Sequence, residues 1–144
     1  MAAELAVRPS RDAAEVEAAL ALRRAVFCDE QGVSEPDEVD GRDGEALHVV
    51  AVRDGRVIGT CRVLVERGAA MLGRMAVERS ARRGGIGARL LFVAEAQARA
   101  AGAQRVVLAA QVAAEPFYAA HGYRAAGAHF EDAGIEHVRM EKAL

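Results

Sequence analysis

The run Arg82-Arg83-Gly84-Gly85-Ile86-Gly87-Ala88 has the residue types and spacing to hold an anion through its main chain. Glycine reaches backbone conformations closed to other residues and lets a phosphate oxygen approach the amides. Where such a run opens a helix, the first N–H groups have no partner, and the helix dipole adds about 0.3–1 kcal/mol per anionic charge at an exposed end. The segment is therefore predicted to cradle a diphosphate. A P-loop would require Lys and then Ser or Thr after the last glycine, but Gly87 is followed by Ala88-Arg89. A dinucleotide fingerprint begun at Gly85 would need its third glycine at Leu90. Both mismatches disfavour a nucleotide-binding protein.

Such a loop has to be placed by a strand before it and a helix after it. Met71-Leu72-Gly73-Arg74-Met75-Ala76-Val77 has the apolar character of a sheet interior, and Ile86, Leu90, Val93, Ala94 and Ala101 recur at helical spacing until Gly102. Upstream, residues 4–8 predict an opening strand and Ser10 a helix cap. Ala13, Val16, Leu20 and Phe27 then predict the inner face of a helix, with Arg23 and Arg24 turned outward. Residues 28–45 are acidic and irregular, and clustered carboxylates there would attract a cationic amine. Residues 46–53, 56–66 and 69–77 predict three strands joined at Asp54-Gly55 and Arg67-Gly68. Residues 105–110 predict a further strand, reached by a right-handed crossover. A short helix over residues 113–120 and two more strands complete an α/β (α+β) pattern, a mixed central sheet flanked by helices, in one domain spanning residues 1–144.

Composition narrows the function classes. A net charge of -2 argues against general nucleic-acid binding, which needs clustered cations. Cys28 and Cys61 lack metal-ligand spacing, so no metal is expected and both thiols are expected to be buried. The apolar runs are too short to cross a bilayer and no secretory signal opens the chain, which makes a cytoplasmic location the expectation. A sheet edge near the C-terminus would need covering and points to a homodimer.

Arg82, Gly85 and Gly87 also satisfy the pattern Arg/Gln-x-x-Gly-x-Gly/Ala, and the later run Gln111-Val112-Ala113-Ala114-Glu115-Pro116-Phe117-Tyr118 precedes Gly122-Tyr123. In these two motifs the chain resembles the GNAT superfamily of N-acetyltransferases. Arg23, Arg24, Phe27, Glu30-Gln31-Gly32, Glu38, Asp40, Asp43 and His48 further resemble its small bacterial ElaA-like branch. Gln111 stands where many members carry Asn.

The resemblance implies acetyl-CoA as co-substrate and direct transfer to a primary amine, of a small molecule or a protein, in a ternary complex. The alternative is a non-catalytic acyl-CoA-binding sensor or interaction module. Carried onto this chain, the amides of Arg83, Gly84, Gly85, Ile86, Gly87 and Ala88, with Arg82, would hold the diphosphate. The backbone of Met75, Ala76 and Val77 would pair with pantetheine, and the Met75 amide would polarise the thioester carbonyl. Gln111 and Phe117 would line the cofactor. Tyr118 would act as general acid toward the leaving thiolate, and Glu30, Asp40 or His48 would take the proton from the amine.

Overall fold

The computed structural model describes residues 4–144. Strand β1 (Ala6–Pro9) leads into helix α1 (Ala13–Arg23). The cap of α1 is Asp12, whose carboxylate accepts from the Glu15 N–H at 2.9 Å. Ser10, expected in that role, instead gives its N–H to the His48 carbonyl at 2.8 Å. The helix then widens into a π-helical turn over Arg24–Glu30.

Its inner face is rotated from the expected one: Ala19, Arg23 and Val26 are buried, whereas Ala13 is exposed and Val16, Leu20 and Phe27 are half-buried. Apolar periodicity sends an arginine to solvent, but Arg23 is only 1% exposed because carboxylates from the next segment meet it. That segment is also more ordered than its composition suggests. It contains α2 (Glu35–Glu38), capped by Ser34, and a 3-10 turn at Asp43–Glu45.

Strands β2 (Leu47–Arg53), β3 (Arg56–Glu66) and β4 (Ala69–Val77) form an antiparallel meander. Both hairpin turns have two left-handed residues, Asp54 and Gly55 in one and Arg67 and Gly68 in the other, matching the twist of the strands they join. Helix α3 (Ile86–Ala100) and strand β5 (Arg105–Gln111) follow, then α4 (Glu115–Ala120), β6 (Arg124–Ala125), β7 (Phe130–Asp132) and β8 (Ile135–Ala143). Three strands, not two, thus close the chain.

The sheet order is β1-β2-β3-β4-β5-β8-β6, with β7 also on β8, and β4–β5 is its one parallel pair among the described residues. Strands β6 and β7 pair with β8 from within the chain. Helix α3 lies on the face of β3 that carries Gly59 and Cys61. A Cβ at Gly59 would stand 3.0 Å from Ile86, so this glycine lets the first turn of α3 press against the sheet. Cys61 is buried there, while Cys28 is only half-buried. Among the described residues, no helix is long and apolar enough to cross a membrane.

Candidate active site

Strands β4 and β5 pair only where Ala69, Ala70, Met71 and Leu72 face Arg105, Val106, Val107 and Leu108. Beyond that point they separate, and a cleft of about 810 Å³ opens, lined at the fork by Gly73, Met75, Ala110, Gln111, Phe117 and Tyr118. The cause lies on the other edge of β4. Thr60 faces Ala76 and Arg62 faces Gly73, so Arg74 and Met75 together oppose Cys61. Arg74 takes the extra residue's left-handed conformation, with φ 53°. A bulge of this kind bends and twists its strand, here away from β5.

At the end of β4 the chain makes a 3-10 turn (Arg79–Ala81) and enters the glycine run, where Arg83 and Gly85 have φ of 67° and 80°. The first backbone bond of α3 runs from the Arg89 N–H to the Gly85 carbonyl at 3.2 Å. The N–H groups of Arg83, Gly84, Gly85, Ile86, Gly87 and Ala88 donate to no acceptor among the described residues, and no side chain caps the helix. Successive free amides in a turn that mixes left- and right-handed residues form a concave anion site. Buried Ile86 anchors this mouth from beneath.

The loop borders the cleft: a Cβ on Gly87 would lie 3.4 Å from the Phe117 ring and 3.8 Å from the Met75 sulfur. Ala76 is buried beneath it. The Arg82 side chain turns back, donating to the Val77 carbonyl at 2.9 Å and pairing with Glu30 at 2.8 Å.

Tyr118 enters the cleft from α4, its ring held edge-on by Phe117 and Tyr123. Burial pushes its phenol up to about 12. Its hydroxyl is directed at the Met75 Sδ at 3.9 Å, a weak acceptor. Across the fork, the Gln111 amide donates to the Gln31 side chain at 2.8 Å.

Known proteins match nearly the whole chain. The acetyltransferase (GNAT) domain family matches residues 12–144. The uncharacterized N-acetyltransferase YjcF of Bacillus subtilis is 36% identical over 84% of this chain and 87% of its own. The chain belongs to the GNAT acetyltransferase family. Among solved structures, an acyl-CoA N-acyltransferase from Pseudomonas aeruginosa superposes with a TM-score of 0.84 at 29% identity, covering 98% of this chain and 99% of that one. Escherichia coli ElaA has a TM-score of 0.84 at 24% identity over 97% and 99% of the two chains, a likeness of fold.

The GNAT cleft brings together only part of the expected proton-transfer set. Asp40 lines the cleft, but Arg62 grips both its oxygens at 2.7 and 2.8 Å and holds its carboxyl well below the usual range, which makes it a poor proton acceptor. Glu30 lies at the glycine-rich loop in its pair with Arg82. His48 is buried off the cleft, its Nε2–H donating to the Asp43 carbonyl at 2.9 Å. By contrast His137 lines the cleft. Its Nδ1–H donates to the Ile135 carbonyl at 2.7 Å, which leaves the Nε2 lone pair unused. It stacks on Phe130 and faces Gln111 across the β5–β8 ladder. No sequence motif singles out His137; its register against Gln111 on the neighbouring strand places it at the cleft.

The acidic segment is not an open anionic surface. Arg23 meets Glu38 at 2.6 Å and Asp43 at 2.7 Å, and Arg62 adds Asp40 and a second contact to Asp43 at 3.2 Å. Burial raises the Asp43 carboxyl, but Arg23 and Arg62 bring it below its ordinary value on balance. Three of the carboxylates expected to attract an amine are thus occupied by arginines of α1 and β3. An arginine at the helical spacing of Ala19 and Val26 was the available sign.

Proposed function

We propose that this protein is an acetyl-CoA-dependent N-acetyltransferase acting on a primary amine by direct transfer in a ternary complex. The observation that carries the reading is the row of six free amides, Arg83 to Ala88, at the rim of the forked β4–β5 cleft. Family membership and the P. aeruginosa acyl-CoA N-acyltransferase support it.

When bound, acetyl-CoA supplies an acetyl group activated as a thioester. The amides at the mouth of α3 would hold the diphosphate without a lysine, each donor free of an internal acceptor. The edge of β4 past Leu72, unpaired with β5, would offer its main chain to the pantetheine arm, with the Met75 N–H as the donor that would polarise the thioester carbonyl. Tyr118, kept protonated by burial, hydrogen-bonds the sulfur as negative charge gathers on it and delivers its proton there. The amine nitrogen forms the new C–N bond as the C–S bond breaks, and its surplus proton passes to the His137 Nε2 directly or through one water. The segment carrying α2, with Phe27 and Val33, forms the wall that selects the acceptor.

Acetyl-CoA incubated with a panel of primary amines, scored by free thiol and by product mass, tests this. Thiol release that depends on the acceptor, with a mass gain of one acetyl group, is expected. Binding of acetyl-CoA without such release would make the protein a binding module.

A further inference from the structure

Arg74 occupies a costly position. Its backbone is left-handed, which a non-glycine residue adopts against steric resistance, and burial together with the neighbouring Arg62 and Arg23 works against its charge. The ion network does not need it. Glu38 is held by Arg23 at 2.6 Å and Asp40 by Arg62 at 2.7 Å, whereas Arg74 stands 3.8 and 3.5 Å from the same two carboxylates. Its hydrogen bonds go elsewhere. Nε donates to the Glu38 carbonyl at 3.2 Å, and Nη2 donates to the Glu38 and Asp37 carbonyls at 3.1 and 3.4 Å. Those are the last carbonyls of α2, where a helix C-terminus accepts from a cation.

One residue therefore belongs to two parts of the cleft. Its main chain is the bulge that turns β4 from β5, and its side chain fastens the end of α2 from 36 residues away. Both Arg74 and Asp37 line the cleft. We infer that Arg74 is a positioning residue that fixes the acceptor wall at α2 relative to the thioester-binding edge of β4, and so sets acceptor affinity without taking part in bond making. The inference rests on the proposed transferase activity. Features conserving neither stability nor simple charge balance, held at strain beside a reaction site, are expected where geometry serves function.

Arg74→Gly is the informative variant, since glycine adopts φ 53° freely and keeps the bulge while deleting the guanidinium. Wild type and variant are compared with acetyl-CoA and the most active of tryptamine, spermidine, lysine and a Ser-initiated peptide. The expected result is an acceptor KM raised about tenfold or more. The expected kcat at saturating acceptor stays within about twofold, the coenzyme A Kd is unchanged, and Tm moves by less than about 4 °C. Arg74→Lys, which restores one donor, should recover part of the KM. Arg74→Asn, which also tolerates the left-handed region, is read if the glycine variant does not fold. Unchanged acceptor KM in Arg74→Gly, or in Arg74→Asn where that is read, overturns the inference and leaves the transferase intact. An absence of turnover in the wild type removes the activity itself, and the inference with it.

Discussion

The Tyr118 hydroxyl lies 3.9 Å from the Met75 sulfur, linking α4 to the bulged end of β4 across the fork of the sheet. A thioether is a weak acceptor, so little is lost when this hydroxyl turns to another sulfur. Tyr118→Phe should keep coenzyme A affinity and Tm near wild type while kcat falls about 10²-fold. A raised pKa of about 12 keeps the phenol protonated as pH climbs, so its ionisation should cause no loss of rate below about pH 10. A rate decline near pH 9 that vanishes in Tyr118→Phe would contradict this role.

His137 should behave as the proton acceptor for the amine. His137→Asn is expected to lower kcat/KM about 10²-fold while leaving coenzyme A binding unchanged. Added imidazole should restore part of the rate in this variant and none in Tyr118→Phe. Full activity of His137→Asn in plain buffer would remove the residue from the chemistry.

How the acidic segment around α2 folds was less legible in the sequence than how the glycine loop and the meander do. Glycine loops, Asp-Gly turns and the apolar run before Gly84 work through local backbone rules, so α3, the meander and the free-amide mouth could be read directly. Arg23 and Arg62 obey no such rule. Each is an arginine within an apolar pattern, buried only because Glu38, Asp40 and Asp43 return to it from elsewhere in the chain. Periodicity sees one element at a time, and this network needs α1, α2 and β3 at once. His137 was hidden for the same reason, since its place beside Gln111 comes from the pairing of β5 with β8.

The buried network makes a prediction about stability. Arg23→Met leaves Glu38 and Asp43 without their closest cation in a place where Glu38 is only 5% exposed. Removing one partner of a buried pair costs about 3–5 kcal/mol, to be read from urea unfolding midpoints. Arg23→Met combined with Glu38→Leu should recover part of that loss, because no carboxylate then remains buried alone beside α1.

Asp40 and Asp43 are held below the ordinary aspartate value by their arginines. The unfolded chain binds protons first as the pH falls, so the stabilisation is fully present above about pH 5 and is lost progressively below about pH 4. Tm measured between pH 7 and pH 2.5 should fall steeply only in the acid range. Asp40→Asn should be less stable than wild type at pH 7 and lose less on acidification; equal acid slopes for the two proteins would count against the network.

The central claim is that free main-chain donors at the start of α3 hold a diphosphate. Its most direct test is a ¹H–¹⁵N amide spectrum followed during titration with coenzyme A and, separately, with pantetheine, which lacks the diphosphate. The account predicts large shifts for the amides of Arg83, Gly84, Gly85, Ile86, Gly87 and Ala88 with coenzyme A, and little change there with pantetheine. Tight coenzyme A binding that leaves those six amides unmoved would contradict it.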